Sequence, residues 1–172
     1  MFSLTAPSDA LLTEGLLTAK AVMERLSQSG QRVVTAESCT GGLVSALLVH
    51  HAGASDCVEG AFVTYSNQLK HSALDVRDET LARFGAVSAE TVREMAEGAL
   101  RAAARATVAV SVSGIAGPGG GSDEKPVGLV WFGLAVNGKK TKAVSQNFEG
   151  SRTEIRWQAA LYALQLIAGY DE

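Results

Sequence analysis

The sequence has only two cysteines in 172 residues. Cys39 and Cys57 form no CxxC pair and no ligand quartet, which argues against a structural zinc site. A chain of this length buries a core without a disulfide or metal staple. Basic charge is not in excess either. Fifteen Lys and Arg stand against eighteen Asp and Glu, a formal net charge of -3, so the footprint of a nucleic-acid binder is missing. Long apolar runs are absent, and the opening MFSLTAPSDALLTEG carries acids without a basic start. We therefore expect a cytoplasmic protein with no nucleic-acid or membrane partner. Repeats, low-complexity tracts and linkers are missing as well, so one domain is expected over 1–172, with its core at 8–170. What is present is ordinary: 47% hydrophobic and 19% charged residues.

Hydrophobic spacing divides the chain into alternating elements. Ser8 is placed to cap a helix reaching about residue 29, with Leu12, Leu16, Ala19, Met23 and Leu26 on one stripe and Gly30 as the stop. RVVTA at 32–36 reads as a short strand buried on both faces. A loop at 37–42 leads into helical spacing over 43–50, and GAFVTY at 60–65 is a second strand. Short helices are predicted over 67–74 and 78–84, and a longer one over 88–106 capped by Ser88. TVAVSVS at 107–113 is the third strand and runs into a glycine-rich loop over 114–126. Asn137-Gly138 joins strands 127–136 and 140–148 as a hairpin. Ser151 and Glu154 have capping-box spacing at the start of a last helix ending near Gly169. Crossover helices between early strands and one late hairpin give a three-layer α/β/α fold with a mixed sheet of about five strands.

Several segments carry chemistry. In TAESCTGG at 35–42 a buried strand ends, hydroxylated and small residues follow, and a helix begins. Unpaired helix-start N–H groups bind phosphate or carboxylate, and Gly41 and Gly42 let the backbone approach an anion. Ser38 or Thr40 equally serves as a simple cap. The loop from Ser113 and Gly114 to Pro126 lies at a strand end, where ligands gather in open α/β sheets. Gly117-x-Gly119 is not a dinucleotide fingerprint, since Ser122 replaces the third glycine and no helix follows. GLAVNGKK at 133–140 departs from a P-loop at Lys140 and lies in a hairpin, which disfavours kinase chemistry. Tyr65 and Lys70 are five apart, unlike the four-residue spacing of the short-chain dehydrogenases. A lysine desolvated beside a phenol takes a proton from a serine if burial lowers its pKa. Arg152 and Arg156 share a helix face suited to clamping an anion. Cys39 is either a thiolate near a helix start or a small buried thiol. His50, His51 and His71 have no triad or metal spacing.

TAESCTGG at 35–42, VTYSNQLK at 63–70, GAVS at 85–88, SGIAGPGGGSDEKPVG at 113–128 and Gly150-Ser151-Arg152 occur in one order. Together they resemble the CinA C-terminal domain family, over residues 8–170. The resemblance implies a mixed-sheet α/β domain assembled as a homodimer or higher homo-oligomer. It implies hydrolysis of nicotinamide mononucleotide to nicotinate mononucleotide and ammonia, with no metal and no cofactor, as in the stand-alone deamidases of the family. Carried over by position, Ser55 is the expected catalytic hydroxyl, with Tyr65 and Lys70 as activating partners and Ser38 as the second choice. Thr40, Gly41, Gly42, Ser113 and Gly114 are expected to line the nucleotide site, and Arg152 to offer it charge. The loop at 53–55 reads Gly-Ala-Ser where the family often has Gly-Ser-Ser. An inactive binding module of the same fold is the alternative.

Overall fold

The computed structural model describes residues 6–170, so the ends of the expected domain, 1–5 and 171–172, lie outside it. In chain order the elements are α1 (Asp9–Gln28), β1 (Val33–Glu37), α2 (Leu43–Val49), β2 (Val58–Val63), α3 (Asn67–Leu74), α4 (Asp78–Phe84), α5 (Ala89–Ala102), β3 (Val108–Gly114), β4 (Leu129–Val136), β5 (Lys142–Asn147) and α6 (Arg152–Ala168). A single 3-10 turn, Ala54–Asp56, precedes β2. The expected three-layer mixed sheet is the observed one. Its strand order is β2-β1-β3-β4-β5, with β1 parallel to β2 and β3, and the β3-β4 and β4-β5 pairs antiparallel.

β1, β3 and β4 alternate between two cores, while a register shift in β2 sends Val58 to one and Phe62 to the other. Val33, Val108, Val110 and Val112 meet Ala19, Val22 and Leu26 of α1, Val44 and Leu48 of α2, and Ile155 and Leu164 of α6. Val34, Ala36, Ala109 and Ala135 face the other way, onto Met95, Ala96 and Ala99 of α5 and Leu74 of α3. Small residues on that second face let α5 sit close. A Cβ at Gly133 would stand 2.3 Å from the Val92 carbonyl oxygen, and Ser111 Oγ donates to that same oxygen at 2.5 Å.

Ser8, Ser88 and Ser151 cap helices as expected, whereas neither Ser38 nor Thr40 caps α2, whose N-cap is Gly42 without a side-chain bond. Ser8, Ser66, Ser88 and Ser151 each accept an N–H from the first turn of a helix, and Ser151 with Glu154 completes a capping box. Several boundaries differ, among them the starts of β4 and β5, each two residues later than expected. β1 runs one residue further than expected, to Glu37, and β2 opens at Val58 and stops at Val63, leaving Tyr65 beyond the strand. α5 ends at Ala102, where Ala103 leaves the helix and Ala106 N–H turns back to its carbonyl. Leu12 is exposed, and Val22 takes its place in the buried stripe of α1.

The topology fixes where a ligand can sit. After β1 the chain crosses to the α1/α2/α6 face, whereas after β2 it crosses to the α3/α5 face. Neighbouring strands whose continuations part to opposite faces leave a crevice at their carboxyl ends. α6 spans the molecule along this axis. Arg152 in its first turn reaches Gly117 and Tyr65 at the carboxyl edge of β1–β3, while Ile167 accepts from Arg25 and Tyr170 contacts Gln31 at the opposite edge. No helix among the described residues is long and apolar enough to cross a membrane.

Candidate active site

In the crevice between β1 and β2, Ser38 follows the last residue of β1, and its N–H donates to the Val112 carbonyl at 2.9 Å. Parallel pairing sets Val63 opposite Glu37, and Thr64 N–H continues the ladder to the Glu37 carbonyl at 2.8 Å. That register brings the start of α3 beside Ser38. Lys70, in the first turn of α3 capped by Ser66, is 0% exposed. Its Nζ donates to Ser38 Oγ at 3.0 Å, to the Thr64 carbonyl at 2.9 Å and to the Tyr65 carbonyl at 3.3 Å.

None of the three partners carries a charge, and that decides the electrostatics. A buried ammonium without a carboxylate is disfavoured. Burial pulls Lys70 down from 10.5 to about 8, against an opposing influence of the Cys39 sulfur. Near neutral pH a usable fraction is then a neutral amine with a lone pair aimed at a serine hydroxyl. Cys39 itself is pushed up to about 11 by burial. It is therefore a thiol at neutral pH, and the small buried role is the one it fills.

The turn after Ser38 is held from two sides. Glu37 is fully buried, and its carboxylate accepts from the N–H groups of Gly42, Val44 and Ser45 at 2.9, 3.1 and 2.9 Å, and from Thr35 Oγ1 at 3.0 Å. This corrects the expectation of a free anion site at the start of α2, because the protein's own carboxylate occupies those donors. Arg156 braces the outside, donating to the Cys39 and Thr40 carbonyls at 3.0 and 2.8 Å. It clamps the loop rather than a ligand. Gly41 N–H donates to the Ser38 carbonyl. Among the described residues, the Cys39 N–H meets only its own thiol sulfur, and the Thr40 N–H has no acceptor. The hydroxyls of Thr40 and Thr64 are buried and have no partner among the described residues.

Of the other expected residues, Arg152 and Tyr65 form the rim. Arg152 donates to the Gly117 carbonyl at 2.8 Å and to Tyr65 Oη at 3.4 Å, so it ties the glycine-rich loop to the crevice. Tyr65 is 65% exposed, and it meets Lys70 through its carbonyl. The phenol is not the partner the spacing suggested. Ser113 is structural, its hydroxyl donating to the Ala86 carbonyl at 2.7 Å. Gly114 permits close packing, since a Cβ there would come within 2.6 Å of Val130 Cγ2.

Ser55 is the main correction. It lies in the 3-10 turn before β2, at the amino ends of the parallel strands, whereas Lys70 lies beyond their carboxyl ends. At about 3.3 Å per residue the length of β2 alone separates them by roughly 20 Å. The Ser55 carbonyl accepts from Arg32, which also binds the Asp56 and Val58 carbonyls and Glu59. Ser55 Oγ has no hydrogen-bond partner among the described residues, and nothing basic reaches it. Ser55→Ala should therefore leave kcat within about twofold of the wild type. A steady-state assay that finds a large loss would restore Ser55 to the reaction.

Two residues at the site escaped sequence reasoning. Glu37 looked like the first residue of a polar loop, and Thr64 contributes a backbone carbonyl, which no side-chain pattern announces. No group of three or more His, Cys, Asp or Glu among the described residues is arranged to hold a metal ion.

The CinA C-terminal domain family model matches residues 17–170. Nicotinamide-nucleotide amidohydrolase PncC of Escherichia coli strain K12 is 52% identical over 146 residues, covering 85% of this chain and 88% of that protein. PncC of Enterobacter agglomerans is 52% identical over 140 residues, covering 81% and 85%. The crystal structure of competence/damage inducible protein CihA from Agrobacterium tumefaciens superposes with a TM-score of 0.90 at 41% identity. It covers 99% of this chain and 100% of that one.

Proposed function

This chain belongs to the CinA C-terminal domain family, and from that premise we propose that it is a serine amidohydrolase acting on nicotinamide mononucleotide. The reaction is hydrolysis of the substrate carboxamide, giving nicotinate mononucleotide and ammonia. The likeness to the two PncC amidohydrolases supports the substrate. The observation that carries the chemistry is the 3.0 Å contact between Ser38 Oγ and the buried Lys70 Nζ.

Neutral Lys70 takes the Ser38 proton as Oγ attacks the carboxamide carbon. The resulting oxyanion is met by the N–H groups of Cys39 and Thr40, a contribution typically worth about 3 kcal/mol per donor. Collapse breaks the C–N bond, and the Lys70 ammonium returns its proton to the departing nitrogen, which leaves as ammonia. Water then adds to the Ser38 ester, again losing a proton to Lys70, and the acid is released as Ser38 regains its hydrogen. Arg152 at the rim supplies positive charge for the nucleotide phosphate, and its bond to the Gly117 carbonyl ties the glycine-rich loop to that rim.

The protein incubated with nicotinamide mononucleotide should release ammonia and nicotinate mononucleotide in equal amounts. Thermal stabilisation by the nucleotide without ammonia would instead identify a silent binding module. We also propose that the chain works as a homodimer. Val63, Tyr65 and Leu69 are large apolar side chains exposed beside the crevice, which supports a partner there. Sedimentation should give twice the mass of one chain, and a monomer at assay concentration would refute the assembly.

A further inference from the structure

We propose that Glu37 is a positioning residue for the reaction: its buried carboxylate fixes the turn that carries Ser38 and presents to the oxyanion the Thr40 N–H and the Cys39 N–H, which is held only by its own thiol sulfur. The inference rests on the reading of Ser38 as nucleophile.

A buried carboxylate costs several kcal/mol unless it is compensated. Here compensation comes from four donors within eight residues of the acid itself, and no Lys or Arg takes part among the described residues. A neutral cap such as Ser or Asn satisfies one helix-start N–H. Glu37 satisfies three, at positions five, seven and eight further on, so it closes the whole turn 38–42 against the end of β1.

The peptide planes then have little freedom. The Ser38 carbonyl is turned to Gly41 N–H, and the Cys39 carbonyl is turned to Arg156. In a trans peptide the N–H points opposite to the carbonyl of the same plane. The Cys39 N–H is therefore directed away from Gly41, and the Thr40 N–H away from α6. Strand alternation adds a second consequence. Glu37 projects to the α2 face and Ser38 to the α3 face, so an acid adjacent in sequence to the nucleophile stays off Lys70. Among the described residues, Lys70 keeps only uncharged hydrogen-bond partners.

The experiment compares Glu37→Gln, Thr35→Val and, as a stability control remote from the turn, Leu26→Ala. Each is measured for kcat, KM, the pH midpoint, melting temperature and the rate at which a fluorophosphonate probe labels Ser38. Gln presents an amide NH2 to a ring of N–H donors, so one edge of the turn opens. We expect kcat and labelling rate to fall together by at least about tenfold, with KM within about twofold and the pH midpoint unchanged. Thr35→Val, which removes one contact of four, should show a smaller loss of the same kind. Leu26→Ala should lose melting temperature but not kcat. Wild-type kcat and labelling in folded Glu37→Gln would overturn the proposal, and Thr35→Val decides in the same way if Glu37→Gln does not fold. So would a loss of kcat in Leu26→Ala in proportion to its lost stability. Absence of labelling at Ser38 in the wild type, with full activity in Ser38→Ala, would instead remove the nucleophile and this inference with it.

Discussion

Ser38→Ala should lower kcat by at least about 10³-fold while leaving KM within a few-fold of the wild type. The variant keeps the fold, because Ser38 anchors to the sheet through its N–H and to the turn through its carbonyl, and among the described residues its hydroxyl bonds only Lys70. It also keeps the Cys39 and Thr40 donors and the Arg152 rim, so binding and part of the oxyanion stabilisation survive. What disappears is the atom that forms the acyl bond. Rapid-quench measurement should show a covalent nicotinate mononucleotide ester in the wild type and none in the variant. Retention of more than about a tenth of wild-type kcat would mean that water attacks directly and that Ser38 only orients it.

Lys70→Met should be as damaging, and it carries a pH signature. The active form is the neutral amine. With the pKa at about 8, roughly one molecule in ten holds it at pH 7, against about three in ten thousand for a lysine left at 10.5. Wild-type kcat/KM should accordingly rise about tenfold per pH unit up to about 8 and then level off. Lys70→Met should lose about 10³-fold in kcat, with a smaller change in KM, and should lose the inflection. Lys70→Arg should be no rescue, since a guanidinium stays protonated. A flat wild-type profile between pH 6 and 9 would show that Lys70 is not the base.

The fold was readable because its signals are local. Serine caps, the Asn137-Gly138 turn and the strand alternation each reside within a few residues. The site was legible as a set of residues and not as an arrangement. Ser55 was the first choice by position in the resemblance, with Ser38 second, and such a carry-over holds no information on which hydroxyl lies beside Lys70. What decides is the direction of β2, which carries the chain from the Ser55 turn at one edge to Lys70 at the other. Its pairing in parallel with β1 then delivers Ser38 to that second edge. Glu37 was misplaced for a related reason. A charged residue at a strand end reads as the first residue of a solvated loop, and only the positions of the Gly42, Val44 and Ser45 N–H groups reveal that it is buried.

α6 begins at the rim of the crevice with Arg152 and ends at the far edge, where Tyr170 meets Gln31. Its seventeen residues measure about 25 Å along the axis. Tyr170 therefore stands a full helix length from the dyad, so a substitution that breaks its contact with Gln31 should disturb the edge opposite the nucleotide entrance.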